Sequence, residues 1–267
     1  MCIRDRVMRE DLDVLVVDGG DGTVREIASR WFDLPRRPRA LGIIEHGNTN
    51  LIARKVGRVS DLGRLAQITQ DELTSQVASA PILRFDFDAA SRPVRGFIAG
   101  GGAYALATET VSSSAQMGGT PKVITTVIKT LFRAGIGRGQ SALRDGVATV
   151  FSGDGAEIRN GSSFLGIVTA LDGALVARLN PFWGDGSGAI RWTNIDAPPA
   201  HMARGMLRAA FGCPAAWMTA AGYTSGRADR IELELDGPLI VDGDRVGDLG
   251  RQRITISADE TLPVLAI

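Results

Sequence analysis

Leu12–Arg30, LDVLVVDGGDGTVREIASR, constrains this chain more than any other segment: an apolar run enters a turn built on three glycines and leaves as a helix. Val14 to Val17 are aliphatic without a break, as in a strand covered on both faces of a parallel sheet. Gly19, Gly20 and Gly22 end that strand. From Thr23 the apolar positions Val24, Ile27, Ala28 and Trp31 recur at three and four residues, which predicts an amphipathic helix from 23 to about 33. Such a strand, turn and helix start gathers backbone N–H groups at the positive end of a helix dipole, where no Cβ blocks approach. That is a phosphate cradle. Asp21 lies inside the turn, and a carboxylate beside phosphate needs a cation between the two or a proton to handle. The turn therefore reads as phosphate with Mg²⁺ or phosphate with a base. An ordinary βα turn, with Thr23 as the helix cap, accounts for the same residues.

The string GGDGT, Gly19 to Thr23, resembles the nucleotide-binding signature of the diacylglycerol kinase and lipid kinase family, whose wider superfamily includes NAD kinases. Glu26 stands where that family often has a glutamate. Ala40 to Gly57, ALGIIEHGNTNLIARKVG, resembles the family's next strand, loop and helix, with Gly47, Asn48 and Asn50 on a Pro-x-Gly-Thr-x-Asn type loop. The resemblance implies that Gly19, Gly20, Asp21, Gly22, Thr23, Glu26, Gly47, Asn48 and Asn50 bind ATP, with Asp21 as metal or proton partner. This chain departs from the pattern in places. Arg25 replaces a common asparagine, Glu45-His46 a proline-led pair, Asn48 the loop threonine, and Leu51 a frequent aspartate.

Leu239 to Val246, LIVDGDRV, resembles the family's late Asp-Gly-Glu motif, whose glutamate is the base that deprotonates the lipid hydroxyl. Here that position is Asp244, the second catalytic candidate beside Asp21. Losing one methylene shortens the reach by about 1.5 Å, and a misplacement of roughly 1 Å can cost about a hundredfold in rate. Read without the resemblance, Asp242-Gly243 is a hairpin turn and Asp244 a solvated residue after it. The family's structural Mg²⁺ site has its nearest counterpart in Asp185, which an ordinary turn explains equally well.

Composition narrows the classes. With 267 residues and 44% hydrophobic content the chain can bury two modest cores. A formal net charge of zero removes bulk attraction to nucleic acid or anionic membrane. Two cysteines, Cys2 and Cys213, allow neither a disulfide framework nor a cysteine metal cluster. No apolar run approaches 18 residues, and no charged start, apolar stretch and small-residue cleavage site opens the sequence, so neither a membrane span nor a secretory signal is expected.

Along the chain, Met1–Arg9 does not read as the buried strand that opens a doubly wound domain, and family members carry one or two βα units before GGDGT. A truncated nucleotide domain is therefore expected. Leu41–Ile44 reads as a strand, Leu51–Val56 as a helix start, and Ser60–Ser79 as one helix. Ile82–Asp88 alternates as a half-buried strand, placing a domain boundary near Ala80–Pro81. Pro121–Ala134 reads as an amphipathic helix that packs on a sheet or faces a membrane. Gly135–Gln140, GIGRGQ, follows a helix and not a strand, so it is no dinucleotide fingerprint. Asp-Gly recurs at 145, 154, 172, 185, 236 and 242, between short strand-like runs, which predicts a largely antiparallel β-domain interrupted by a helix at Pro199–Phe211.

The expected fold is α/β plus β: a truncated doubly wound nucleotide-binding domain over 1–80, a β-rich, sandwich-like substrate and lid domain over 81–267, and an active site in the cleft. By resemblance the activity is ATP-dependent, Mg²⁺-requiring phosphorylation of a hydroxyl on a diacylglycerol-like lipid. The alternatives are a degenerate nucleotide-binding fragment without turnover, or a kinase of a soluble acceptor such as NAD. The expected location is cytoplasmic, with peripheral contact at the inner membrane face. Nucleic acid is not an expected partner, and a homodimer is left open.

Overall fold

The computed structural model describes residues 12–47, 50–88, 92–105, 107–108, 146–175, 179–247 and 250–267. Asn48, Met1–Arg9, the helix expected at Pro121–Ala134 and the glycine string 135–140 lie outside the described residues.

The opening βα unit forms as its pattern predicts. Strand β1 (Val14–Gly19) pairs in parallel with β2 (Ala40–Glu45), from Val14 opposite Ala40 to Gly19 opposite Glu45. Helix α1 (Asp21–Trp31) connects them and buries Val24, Ala28 and Trp31. It begins at Asp21, two residues before the periodicity starts, with Gly20 as an extended N-cap and an acidic first turn that suits the helix dipole. Helix α2 (Leu51–Val56) follows β2.

Between 60 and 79 there is no single helix. Helix α3 (Leu62–Leu65) is capped by Asp61, and α4 (Gln70–Gln76) by a capping box in which Thr69 and Glu72 exchange hydrogen bonds. That box restarts the helix and breaks the apolar register. From Val77 the backbone is claimed by strand pairing. Strand β3 (Val77–Phe87) passes through Ala80–Pro81 and lies antiparallel to the last strand, β13 (Arg251–Leu265), with a bulge between Ser257 and Glu260. The end of β13 also pairs in parallel with β2, through Val264 and Leu265.

The remaining strands are antiparallel: β4 (Val94–Gly96), β5 (Ile98–Gly102), β6 (Val147–Gly153), β7 (Ala156–Thr169), β8 (Ile190–Asp196), β9 (Tyr223–Ala228), β10 (Arg230–Asp236), β11 (Leu239–Val241) and β12 (Asp244–Val246). The main path of the sheet runs β1-β2-β13-β10-β6-β7-β5-β11-β12. Helix α5 (Met202–Ala210) falls within the expected segment, and the short α6 (Ala216–Ala220) and β9 follow it. Two of the Asp-Gly pairs are two-residue hairpin turns with both residues at positive φ. Asp154-Gly155 joins β6 to β7, and Asp242-Gly243 joins β11 to β12. One apolar core gathers Val24, Trp31, Leu41, Ile43, Ile82 and Val264 around the βα half; a second gathers Phe85, Phe151, Trp192, Ile231 and Ile254. β3 and β13 supply side chains to both. The architecture is α/β plus β.

Candidate functional site

The two glycine loops meet backbone to backbone at the carboxyl ends of β1 and β2. A Cβ on Gly47 would lie 2.6 Å from the Gly20 Cα, so Gly47 needs to be glycine for this approach, while one on Gly20 would lie 3.1 Å from the Gly47 Cα, a tight fit. The His46 N–H donates to the Gly19 carbonyl at 3.3 Å. Asn50 closes its own loop, accepting from the Gly47 N–H at 2.8 Å and donating to the Gly47 carbonyl at 2.9 Å, with its backbone at φ +48°. His46, exposed, pairs with Asp18 and covers the outside of this loop.

Asp21 has a positioning task that its place in the turn did not disclose. Its carboxylate accepts from the Leu51 N–H at 3.0 Å and the Ile52 N–H at 2.9 Å, capping α2, whose own N-cap Asn50 makes no such bond. Burial pushes the Asp21 carboxyl upward, opposed by the two N–H donors. The glycine turn and the 47–50 loop are thus clamped by one carboxylate.

The first amides of α1 receive no side-chain cap from Gly20. Gly22 and Thr23 are exposed there, while Thr23 also packs over Gly19, where a Cβ would come within 2.9 Å of the threonine Cβ. Glu26 is exposed on α1 and pairs with Arg30 at 2.6 Å, one helical turn away from the open end.

The hairpin β11–β12 closes the other side of the turn. The carboxylate of Asp244 lies 3.9 Å from where a Cβ on Gly22 would sit, and it accepts from Arg25 Nη2 at 2.7 Å. Asp21 and Asp244 therefore flank the same turn, but each is bound to a different element. Asp242, at the hairpin corner, turns its carboxylate inward onto the Phe97 and Ile98 N–H groups at 2.8–3.1 Å. Burial raises the Asp242 carboxyl to about 7 against the pull of those donors and of Arg25. Gly96 makes room for it, since a Cβ there would sit 2.7 Å from Asp242 Oδ2. Asp242 is the first aspartate of the string that resembles the Asp-Gly-Glu motif, but its inward pairing is not legible in the sequence, because its partners lie on β5 and just before it.

Next to that hairpin is a small, largely apolar cavity of about 40 Å³, lined among others by Gly100, Gly101, Ile167, Leu235 and Leu239. It adjoins β11 through the pairing of Gly100 with Ile240.

Asp185 is exposed on the loop between β7 and β8, which is held to β9 by the Ser225 hydroxyl accepting from the Trp183 and Gly184 N–H groups. Among the described residues no group of three His, Cys, Asp or Glu side chains is arranged to hold a metal ion. Among the described residues no helix is long and apolar enough to cross a membrane.

Residues 3–82 match the family model of the diacylglycerol kinase catalytic domain. A diacylglycerol kinase of Staphylococcus haemolyticus (strain JCSC1435) is 33% identical over 73 residues, 27% of this chain and 22% of that protein. One from Staphylococcus aureus (strain JH9) is 37% identical over 67 residues, 25% of this chain and 18% of that protein. The match spans about a fifth of the length of these curated relatives. Among solved structures, a diacylglycerol kinase from Bacillus anthracis str. Sterne superposes with a TM-score of 0.54 at 15% identity, covering 94% of this chain and 75% of that one. Yeast NADH kinase complexed with NADH superposes with a TM-score of 0.50 at 14% identity, covering 99% and 64%. These two likenesses show the fold. The resemblance read from GGDGT and the 40–57 segment is borne out over residues 3–82.

Proposed function

From the diacylglycerol kinase catalytic-domain match of residues 3–82, we propose that this chain transfers the γ-phosphate of ATP to a hydroxyl of a diacylglycerol-like lipid, with peripheral contact at a membrane surface. The observation that carries the reading is the uncapped, glycine-lined start of α1 with a carboxylate on the facing hairpin 3.9 Å from where a Cβ on Gly22 would sit. Phosphoryl transfer asks mainly for positioned phosphates, an in-line hydroxyl and a place for its proton. In this reading the amides at the head of α1 hold the nucleotide phosphates. Asp244 accepts the proton as the hydroxyl oxygen bonds to phosphorus and the bond to the bridging oxygen of ATP breaks. Asp21 keeps the second loop against the first. Magnesium enters only as the ion that accompanies nucleotide phosphates, and no step is assigned to a protein-held metal.

The test is transfer of labelled γ-phosphate to diacylglycerol in mixed micelles, with NAD offered as a competing acceptor. Labelled phosphatidic acid, lost in Asp244→Asn, supports the reading. Labelled NADP transfers it to a soluble acceptor. Nucleotide binding by calorimetry with no transfer to any hydroxyl leaves a binding fragment.

A further inference from the structure

Arg25 is the departure from the family pattern that sits closest to the proposed chemistry. Its side chain is 14% exposed, against 56% for Asp244, its ion-pair partner at 2.7 Å. Among the described residues its Nε is buried and without a hydrogen-bond partner. Two further carboxylates lie near: Glu26, 4.0 Å from Nη2 and already committed to Arg30, and the buried Asp242, which is committed to the Phe97 and Ile98 N–H groups and feels the charge of Arg25. The guanidinium thus uses one corner of a planar fork that can serve two acceptors at once. It projects from the second turn of α1, beside the open face of Gly22.

Such an arrangement holds the candidate base in the wrong partnership. A carboxylate accepting from arginine is a poor proton acceptor, and an arginine bound to a carboxylate is not free for phosphate. The pair is half exposed on the aspartate side, so it is weak and readily exchanged. Phosphate offers the same fork two oxygens and more charge.

We propose that Arg25 is a positioning residue that exchanges partners: it holds Asp244 in the empty site, and on nucleotide binding turns its guanidinium to a phosphate, releasing the Asp244 carboxylate to take the proton of the acceptor hydroxyl. The inference rests on the nucleotide site of the preceding section, not on the identity of the acceptor. It predicts competition between Asp244 and nucleotide for one cation.

The experiment is calorimetric binding of ATP, and of inorganic triphosphate, to the whole chain and to Asp244→Asn, Asp244→Ala, Arg25→Asn and the double variant Arg25→Asn/Asp244→Asn. Each is checked for an unchanged melting temperature. Removing the carboxylate frees the guanidinium, so both Asp244 variants bind ATP roughly five- to tenfold tighter, while Arg25→Asn binds roughly tenfold weaker. In the Arg25→Asn background the gain from Asp244→Asn disappears. A pair that merely braces the hairpin gives the opposite sign, with both single changes weakening binding or leaving it unmoved, and that result overturns the exchange. If the unmodified chain binds neither ATP nor triphosphate, the nucleotide site itself is refuted. Binding of ATP with no effect of Asp244→Asn refutes the exchange alone.

Discussion

Asp242 and Asp21 carry the energetics that belong to single residues. The carboxyl of Asp242 is raised to about 7 by burial, with Asp21 adding to the rise, and with the Phe97 and Ile98 N–H groups and Arg25 acting against it. Its folded value lies above the unfolded 3.8, so the native state holds a proton that the unfolded state has already lost. The stabilisation is complete below about pH 4 and is lost as pH rises towards 7 and beyond, by up to a few kcal/mol. Asp242→Asn keeps an acceptor for both N–H groups without the charge. Urea unfolding at pH 5 and pH 8 should show this variant gaining on the unmodified protein at both, and by more at the higher pH. Asp21→Ala leaves the Leu51 and Ile52 N–H groups without their acceptor. It should cost about 1–3 kcal/mol in the same assay, independent of any catalytic part.

At the scale of elements, the turns obey their own local chemistry and the loop contact does not. Gly155 sits at φ +81° with nothing within 4 Å of a would-be Cβ, so Gly155→Ala pays only backbone strain, about 1 kcal/mol. Gly47 is not at positive φ, yet a Cβ there would press on the Gly20 Cα and on Asn50 Oδ1, both at 2.6 Å. Gly47→Ala should therefore cost about 1–3 kcal/mol through displaced backbone, and it should weaken nucleotide binding where Gly155→Ala does not. Parallel denaturation and calorimetry on the two variants separate the cases. The segment 60–79 makes the complementary point. Its apolar spacing reads as one helix, but Thr69 and Glu72 form a cap in mid-run, and Val77 onward has a strand partner in β13.

The whole molecule is joined by β3 and β13, which run through both cores, and by Arg95. That side chain, from β4, is buried. It donates to Glu260 on β13 at 2.9 Å and to the Ser29 carbonyl on α1 at 3.2 Å, and it lies 4.6 Å over the Phe32 ring. One guanidinium thus ties the nucleotide-loop helix to the long strands. Arg95→Ala leaves Glu260 with its closest charge removed and a cavity beside α1, for which about 3–5 kcal/mol is expected. The loss should appear as a lower melting temperature and as faster amide exchange in α1 and β13 together; faster exchange in α1 alone would show that the halves are not coupled through this residue.

What the sequence by itself determined is local. The aliphatic run, the glycine turn and the three-and-four spacing dictate β1, its turn and α1, and Asp-Gly dictates the hairpins at 154–155 and 242–243, because each depends on neighbouring residues and on which of them tolerate positive φ. The family signature rests on the same contiguous strings. Only the tertiary structure decided where the charged groups go. Asp21 finds its N–H partners 30 and 31 residues on, Asp242 reaches back 144 and 145, and Arg25 meets Asp244 across 219. No local period encodes those pairings, because the parallel pairing of β1 with β2 brings α2 to Asp21, and the pairing of β11 with β5 holds the Asp242–Asp244 hairpin.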